Sequence, residues 1–508
     1  MKTIKVLFVI CLISLLSGCN RLLDLQPVGQ QTLNITFSDF AGAQAAVNGL
    51  YGTITASDLY RGGNALILVD QASDDVIYGP MGTPNFSRID YFETNPNDAF
   101  VFQIWEGLYR LIYRCNVVID RMPGVPFPSV GATNSAGLPF RDQFIGEAKF
   151  LRAFAYFNLV RIFGDVPLHV KEINSIAAIN IPRSPVAQVY AQIEADLKDA
   201  IEKLPPFYSG SGAGNERGRV TRWAAMTMLT DVYLTLRRFQ EARNTASAAI
   251  TGSAQFGVRL NNAYVDNFAG RGGMDNSPES LFEIQFGGAT VAGPGPVGNN
   301  FASLMSSGDN TPPGIANYRP SDNSYLENEP GYTGGLIQEY EPGDLRRDVN
   351  FYQGRGDGNN IRWLTYKFYR LGPGSGNENY PVYRLADLYL MYAEATNELG
   401  GPDAQSVNYL NMIRRRAFGL PLNTPSARDI PANLSQAAFR NVLRTERRRE
   451  LAMENKRWFD LLRYGFDFMQ EVLVNRTKRI RFKREFMLFP IPQPELIANP
   501  LLTQNPGY

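Results

Sequence analysis

The side chains able to do chemistry in this chain form groups of different character. Glu446, Glu450 and Glu454 stand at i, i+4 and i+8, so a helix places all three carboxylates on one face. Paired carboxylates are the material of general acid–base chemistry or of a metal site. Arg444, Arg447, Arg448, Arg449 and Arg457 surround them, and the reading favoured is a salt-bridged helix face. Tyr318, Tyr325 and Tyr332 recur every seven residues in NYRPSDNSYLENEPGYTGG, a polar stretch without a core pattern. Aromatic faces in such a loop stack on the C–H surfaces of sugars, and the phenol hydroxyls add hydrogen bonds. Asp322 and Asn323 lie in the same loop and suit sugar hydroxyls or peptide amides. Asp74, Asp75 and Tyr78 in ASDDVIYG form a second cluster of this kind. Trp363 is a further stacking candidate, although its strand-like setting fits a core position equally well.

Other chemistries are excluded or weak. The single histidine, His169, rules out a multi-His zinc site and an H-E-x-x-H protease. Any Ser-His-Asp or Cys-His machinery would have to use it, and a structural role is the better reading. Cys11, Cys19 and Cys115 lie too far apart for a C-x-x-C motif. No metal and no cofactor is expected. Gly293-x-Gly295-x-x-Gly298 matches the dinucleotide fingerprint by letter, but Pro294 and Pro296 stiffen it and no βαβ context or acidic partner accompanies it. Arg355-Gly356-Asp357 reads as a chance turn. The basic run Arg476, Lys478, Arg479, Arg481, Lys483 and Arg484 is read as an extended strand edge protected by charge. The enzyme alternative is a glycosidase using loop carboxylates such as Asp74 and Asp322. Nothing fixes such a pair at the needed separation, so the glycosidase reading is not favoured and no catalytic residue is assigned.

Composition narrows the class. The chain has 508 residues, 44% of them hydrophobic and 12% aromatic, with 50 Lys+Arg against 49 Asp+Glu. That supports a large core and lacks the basic excess of a nucleic-acid binder. Lys2 and Lys5 precede the apolar run VLFVICLISLL, a signal-peptide pattern, too short for a span of roughly 20 apolar residues. The run ends in Leu16-Ser17-Gly18-Cys19, which looks like a bacterial lipobox. Residues 1–18 are then a signal peptide, and Cys19 becomes the fatty-acylated anchor. Cys115 is the thiol that remains, so no intramolecular disulfide forms; its place in an apolar stripe makes it a core residue.

The elements that must position these groups are mainly α-helical. In residues 100–122, Trp105, Leu108, Tyr109, Ile112, Cys115 and Ile119 keep helical spacing. Pro185 opens a second amphipathic segment, which Pro205-Pro206 stop. Segments 221–250 and 381–418 each read as a helical hairpin with small–large alternation, as in tetratricopeptide repeats. Less regular hairpins are drawn from about 39–121 and 139–204, giving about four units. Residues 19–508 are read as one domain, with repeats over about 39–251 and 381–475. Residues 252–380 differ, with short β-like runs (SLFEIQF, WLTYKFY) among Gly-rich turns. The fold class is mainly α, with tetratricopeptide-like hairpins and an elaborated loop- and short-strand-rich face.

From about residue 145 the chain resembles the SusD/RagB-like family of outer-membrane nutrient-binding lipoproteins. The resemblance rests on AKFLRAFAYFNLVRIFGDVPL, GRVTRWAAMTMLTDVYL, YRLADLYLMYAEATNEL with LNMIRRRA, ERRRELAMENKRWFDLLRYG and the tail LFPIPQPELIANPLLTQNPGY, in the family's order. The lipobox and LLDLQP also fit. One departure is Asn455, which stands where Gly is usual. The resemblance implies a lid over a SusC-like TonB-dependent transporter, anchored by lipid in the outer membrane and facing the cell exterior. It implies delivery of oligosaccharide, or of peptide as the alternative. Family ligand contacts lie in loops of the two regions named above, with residues that vary. A tetratricopeptide scaffold that binds no nutrient is a third reading.

Overall fold

The computed structural model describes residues 33–55, 59–60, 66, 69–78, 88–127, 133–134, 136–175, 178–208, 216, 218–286, 318–321, 333–355, 361–368 and 378–508. Helix α1 (Phe40–Ile54) starts at Asp39, whose carboxylate accepts from the Gly42 amide at 2.8 Å, the usual way to satisfy a free N-terminal N–H. α2 (Ala99–Arg121) buries Leu108, Leu111, Ile112, Cys115 and Val118, as its periodicity requires. α3 (Phe140–Phe163) is buried almost all round, because α2 and the next helix, α4 (Val186–Lys203), both cover it. α5 (Arg222–Thr235) and α6 (Phe239–Ala254) follow as a hairpin. The last hairpin is α7 (Leu385–Gly400) with α8 (Ala404–Ala417); Asp403 and Ser406 make a reciprocal capping box at the start of α8.

Each helix from α1 to α8 packs on the next, so the expected four tetratricopeptide-like hairpins are present in sequence order. α6 packs against α7 although residues 255–384 lie between them. The intervening segment therefore leaves and re-enters the helical stack at neighbouring points. Two more helices, α9 (Gln436–Glu450) and α10 (Arg457–Tyr464), complete the frame, with α9 lying on α7. No helix among the described residues is long and apolar enough to cross a membrane.

The described strands form three two-stranded antiparallel sheets. β1 (Val76–Tyr78) pairs with β3 (Tyr318–Pro320), β2 (Ser280–Ile284) with β6 (Tyr380–Arg384), and β4 (Phe351–Arg355) with β5 (Ile361–Thr365). β2 falls within SLFEIQF, and β5 overlaps the start of WLTYKFY, the two runs read as strands from sequence. The basic run does not form the strand edge expected of it. Gln470–Arg476 is a π-helical turn and Arg484–Met487 a 3₁₀ turn. Arg479 points inward to Asp90 and to the carbonyls of Ser73 and Val76. Alternating charge fits a turning chain as readily as a strand when its partners lie elsewhere in sequence.

Ion pairs tie the strand-bearing segment to the helices. Glu446, Glu450 and Glu454 do lie in and just after a helix, but they are buried, not on the solvated face that the surrounding arginines suggested. Their partners come from far along the chain. Glu450 meets Arg346 at 3.1 Å, Arg384 at 3.0 Å and Arg416 at 2.6 Å. Arg346 also reaches Glu446 at 2.8 Å, while Lys367 and Arg384 bind Glu454 at 2.6 and 2.7 Å. Glu279 bridges Arg384 and Arg416 from the other side. Burial would raise the pKa of Glu450, but Arg416, Arg384 and Arg346 outweigh it and hold the carboxyl down to about 2. Burial brings Lys367 down to about 8 against the pull of Glu454. The neighbouring arginines of α9 turn to other partners: Arg447 to the buried Asp387 and Asp460 at 2.6 and 2.7 Å, and Arg449 to Glu341 at 2.6 Å.

The turn between α9 and α10 explains the one departure in the sequence. Asn455 has φ 54°, a left-handed conformation open to Gly and, next best, Asn. Its side-chain amide donates to the Leu66 carbonyl at 3.0 Å.

Two outcomes follow for stability. Glu450→Gln leaves three guanidiniums short of a buried partner and should cost about 3–5 kcal/mol in urea unfolding. Because the Glu450 pKa is depressed on folding, its contribution is present above the ordinary carboxyl value of 4.5 and is lost as pH falls toward about 2. The wild type should therefore lose stability across that window, and Glu450→Gln should lose less. At the turn, Asn455→Val should cost about 1–2 kcal/mol, and Asn455→Gly should stay within about 1 kcal/mol of wild type. Equal costs for the two substitutions would exclude backbone strain as the reason.

Candidate ligand-binding face

One residue from each of the two clusters nominated from sequence, Tyr78 and Tyr318, falls on a shared strand pair. The register of β1 on β3 sets Val76 against Pro320, Ile77 against Arg319 and Tyr78 against Tyr318. Positions separated by some 240 residues thus become cross-strand neighbours. Below the strands, Ser321 fastens the pairing: its Oγ donates to the Asp74 carbonyl at 2.6 Å and its N–H to the Asp75 carbonyl at 2.8 Å. The Leu336 amide then donates to Ser321 Oγ at 2.8 Å. Ser321 is fully buried. Sequence reading passed over it because a serine in a polar loop carries no sign that it will be a junction.

Asp74 and Asp75 are not the exposed loop carboxylates expected. Each is 1% exposed and committed to guanidinium groups. Asp74 takes a bidentate pair from Arg457, at 2.7 and 2.9 Å, and a further contact from Arg448 at 3.0 Å. Asp75 pairs with Arg448 Nε at 2.6 Å. Burial opposes ionisation of Asp74, but Arg448 and Arg457 hold its pKa well below the usual carboxylate range. Asp75 is shifted upward, first by burial and then, despite Arg448, by the charge of Asp74. Asp70, buried one turn earlier, is pushed up to about 8 by burial and by Asp75, while its carboxylate accepts from the Trp458 amide at 3.0 Å. The physical reason is general: two adjacent carboxylates under strands enter the interior only with matched cations, and those cations lie more than 370 residues away. The pair therefore roots β1 on α9 and α10 instead of presenting oxygens to a ligand.

Trp363 lies on β5 opposite Gln353 of β4. It is half-buried and packs against the core, with the Arg347 guanidinium 5.6 Å from its ring centre. β3 lies against β5, so the strand carrying Tyr318 has the strand of Tyr78 on one hand and that of Trp363 on the other. Asp322, Asn323, Tyr325 and Tyr332 lie outside the described residues, as do the Gly293–Gly298 motif and Asp357. No group of three or more His, Cys, Asp or Glu among the described residues is arranged to hold a metal. His169 serves the backbone: its N–H donates to Tyr156 Oη at 2.7 Å and its carbonyl accepts from Asn116 at 3.0 Å. Cys115 is buried, which pushes its thiol well up and leaves it inert as a nucleophile. Three neighbouring strands carrying aromatic positions on a rigid helical frame are suited to binding by stacking and hydrogen bonding.

Comparison with known proteins agrees with this architecture. A profile described as the SusD family matches residues 311–508, and one described as starch-binding, associating with the outer membrane, matches residues 52–234. SusD-like protein P2 of Formosa agariphila is 28% identical over 547 residues, spanning all of both chains. A SusD homolog from Bacteroides thetaiotaomicron superposes with a TM-score of 0.76 at 24% identity, covering 94% of this chain and 99% of that one. A laminarin-binding SusD-like protein gives 0.73 at 24% identity, covering 93% and 100%. With helical hairpins, inserted face and matching motifs in one order, the chain belongs to the SusD/RagB-like family.

Proposed function

We propose that this chain binds an oligosaccharide on the face built from β1, β3 and β5 and passes it to a TonB-dependent transporter in the outer membrane. The observation that carries the reading is the Tyr78–Tyr318 register, which brings the two aromatic–polar segments onto one strand pair beside Trp363. A starch-binding profile and a laminarin-binding structural relative support carbohydrate as the ligand class. Tyr325, Tyr332, Asp322 and Asn323 continue directly from β3 in sequence and belong to the same proposed site. The chain acts as a hinged lid: ligand held between face and barrel favours closure to the extent that it binds the closed state better. Residues 1–18 are the proposed signal peptide. Cys19 is the lipid anchor of the mature domain 19–508, placed on the outer surface of the cell.

Calorimetry or thermal shift of the soluble form beginning after Cys19, against plant, host and microbial oligosaccharides beside mixed peptides, tests the binding. A ligand selective for the folded state raises the melting temperature. One glycan class should score, and peptide binding alone would replace carbohydrate with peptide. The double change Tyr325→Ala with Tyr332→Ala should weaken that binding by about 1–3 kcal/mol without lowering the melting temperature; unchanged affinity removes this loop from the site. Radioactive fatty acid should label wild type and not Cys19→Ala. A tagged chain should co-purify a large β-barrel from gently solubilised membranes, and recovery of the chain alone would count against the lid.

A further inference from the structure

A cleft of about 290 Å³ lies between α9 and the turn that follows α10, built from residues other than the tyrosine face. Asn441, Arg444, Thr445 and Arg448 line one wall at i, i+3, i+4 and i+7, one face of α9. Phe468, Val472 and Arg476 line the opposite wall, where the backbone turns to π-helix over Gln470–Arg476. π-Helical turns are rare and are frequent at functional sites.

The charges in this cleft are unequally matched. Arg448 and Arg457 are consumed by Asp74, Asp75 and Glu339, so the two carboxylates that face the cleft, Asp74 and Glu339, are already paired. Arg444 has no carboxylate within salt-bridge distance among the described residues. The two that lie nearby belong to others: Glu394 to Arg463 at 2.7 Å and Glu398 to Arg440. Its guanidinium carbon lies 4.1 Å from the Tyr464 ring centre and 4.5 Å from that of Phe468, in the corner formed by two rings set at 88° to each other. Its buried Nε has no hydrogen-bond partner, a state that costs free energy in an interior. At the mouth, Arg476 keeps a 3.1 Å pair with Glu471, both about half exposed, and such pairs are weak and readily exchanged.

We propose that this cleft binds a compact oxyanion, the sulfate ester or uronate carboxylate of an acidic saccharide, with Arg444 as the fixed fork and Arg476 as the mobile one. A planar guanidinium seated against two aromatic rings presents its donors in the geometry that carboxylate and sulfate oxygens accept. Asn441 and Thr445, on the same helix face, supply further polar groups. The saccharide part of this assignment rests on the carbohydrate reading above; the oxyanion part stands by itself.

The test titrates purified protein with sodium sulfate and with sodium glucuronate, against sodium chloride at matched ionic strength, by calorimetry and melting temperature. Saturable binding beyond chloride is expected, weakened about ten-fold or more by Arg444→Gln and about two- to five-fold by Arg476→Ala. Arg476→Ala is a rim substitution expected to keep the wild-type melting temperature in chloride, so it remains readable if Arg444→Gln folds poorly. Binding of sulfate alone identifies a sulfate ester as the source, and of glucuronate alone a uronate. If neither anion exceeds chloride, or if both variants bind as wild type does, the assignment is overturned. Free anions report on the cleft whether or not any glycan of the earlier panel binds, so failure of one reading is separable from failure of the other.

Discussion

Glu450 sits where Arg346, Arg384 and Arg416 converge, with Glu279 closing the far side. In an interior this arrangement is strongly conditional. Each charge is costly alone, and the attraction compensates only when every partner is in place. Arg346 and Arg384 belong to the inserted segment and its return strand, Arg416 to α8, and Glu450 to α9. The cluster therefore acts as a coincidence requirement. The insertion docks in one way, because any other docking would strand several charges out of water. Apolar packing alone is more tolerant, since hydrophobic surfaces accept many registers at similar cost.

The same helix carries the constraint onward to the candidate ligand face. α9 sends its glutamates toward the insertion and Arg448 toward Asp74 and Asp75 at the root of β1. Arg457 at the start of α10 and Arg479 beyond it grip the same short segment. β1 is only three residues long and its partner β3 equally short, too little strand to be stable by itself. What holds Tyr78 opposite Tyr318 is thus the ionic footing beneath them, together with the Ser321 bridge. The strands carry the candidate site, and the charges under them set the position of the strands.

The helical frame was legible in the sequence, and the site only in part, for a common reason. Helix periodicity is local: the spacing of Leu108, Ile112 and Cys115 states which face is buried without reference to anything distant. The hairpins over 221–250 and 381–418 follow from the same short-range signals and their caps. Charge pairing is not local. The sequence around Glu450 offers five nearby arginines, and the tight partners of that carboxylate prove to be three others. Asp74 and Asp75 were read as loop groups because their arginines lie at the other end of the chain. For the basic run from Arg476, alternation mimicked a strand, although the run links a π-helical turn to a 3₁₀ turn and sends Arg479 inward. Asn455 shows the reverse: an unexpected residue in a familiar motif pointed correctly to an unusual backbone.

The adjacency of α6 and α7 bears on how this surface can vary. A segment whose two ends emerge side by side closes its loop at nearly the same entropic cost whatever its length, since that cost rises only logarithmically. Residues can be added to or removed from the excursion between Ala254 and Leu385 without disturbing the stack that bears it. The ionic cluster limits this freedom to particular stretches. Glu279, Arg346, Lys367 and Arg384 must return to fixed points, so they divide the excursion into tethered spans, and the chain between tethers is free to diverge. Recognition in such a molecule can drift by exchange of whole spans between related chains, with the tethers serving as the splice points.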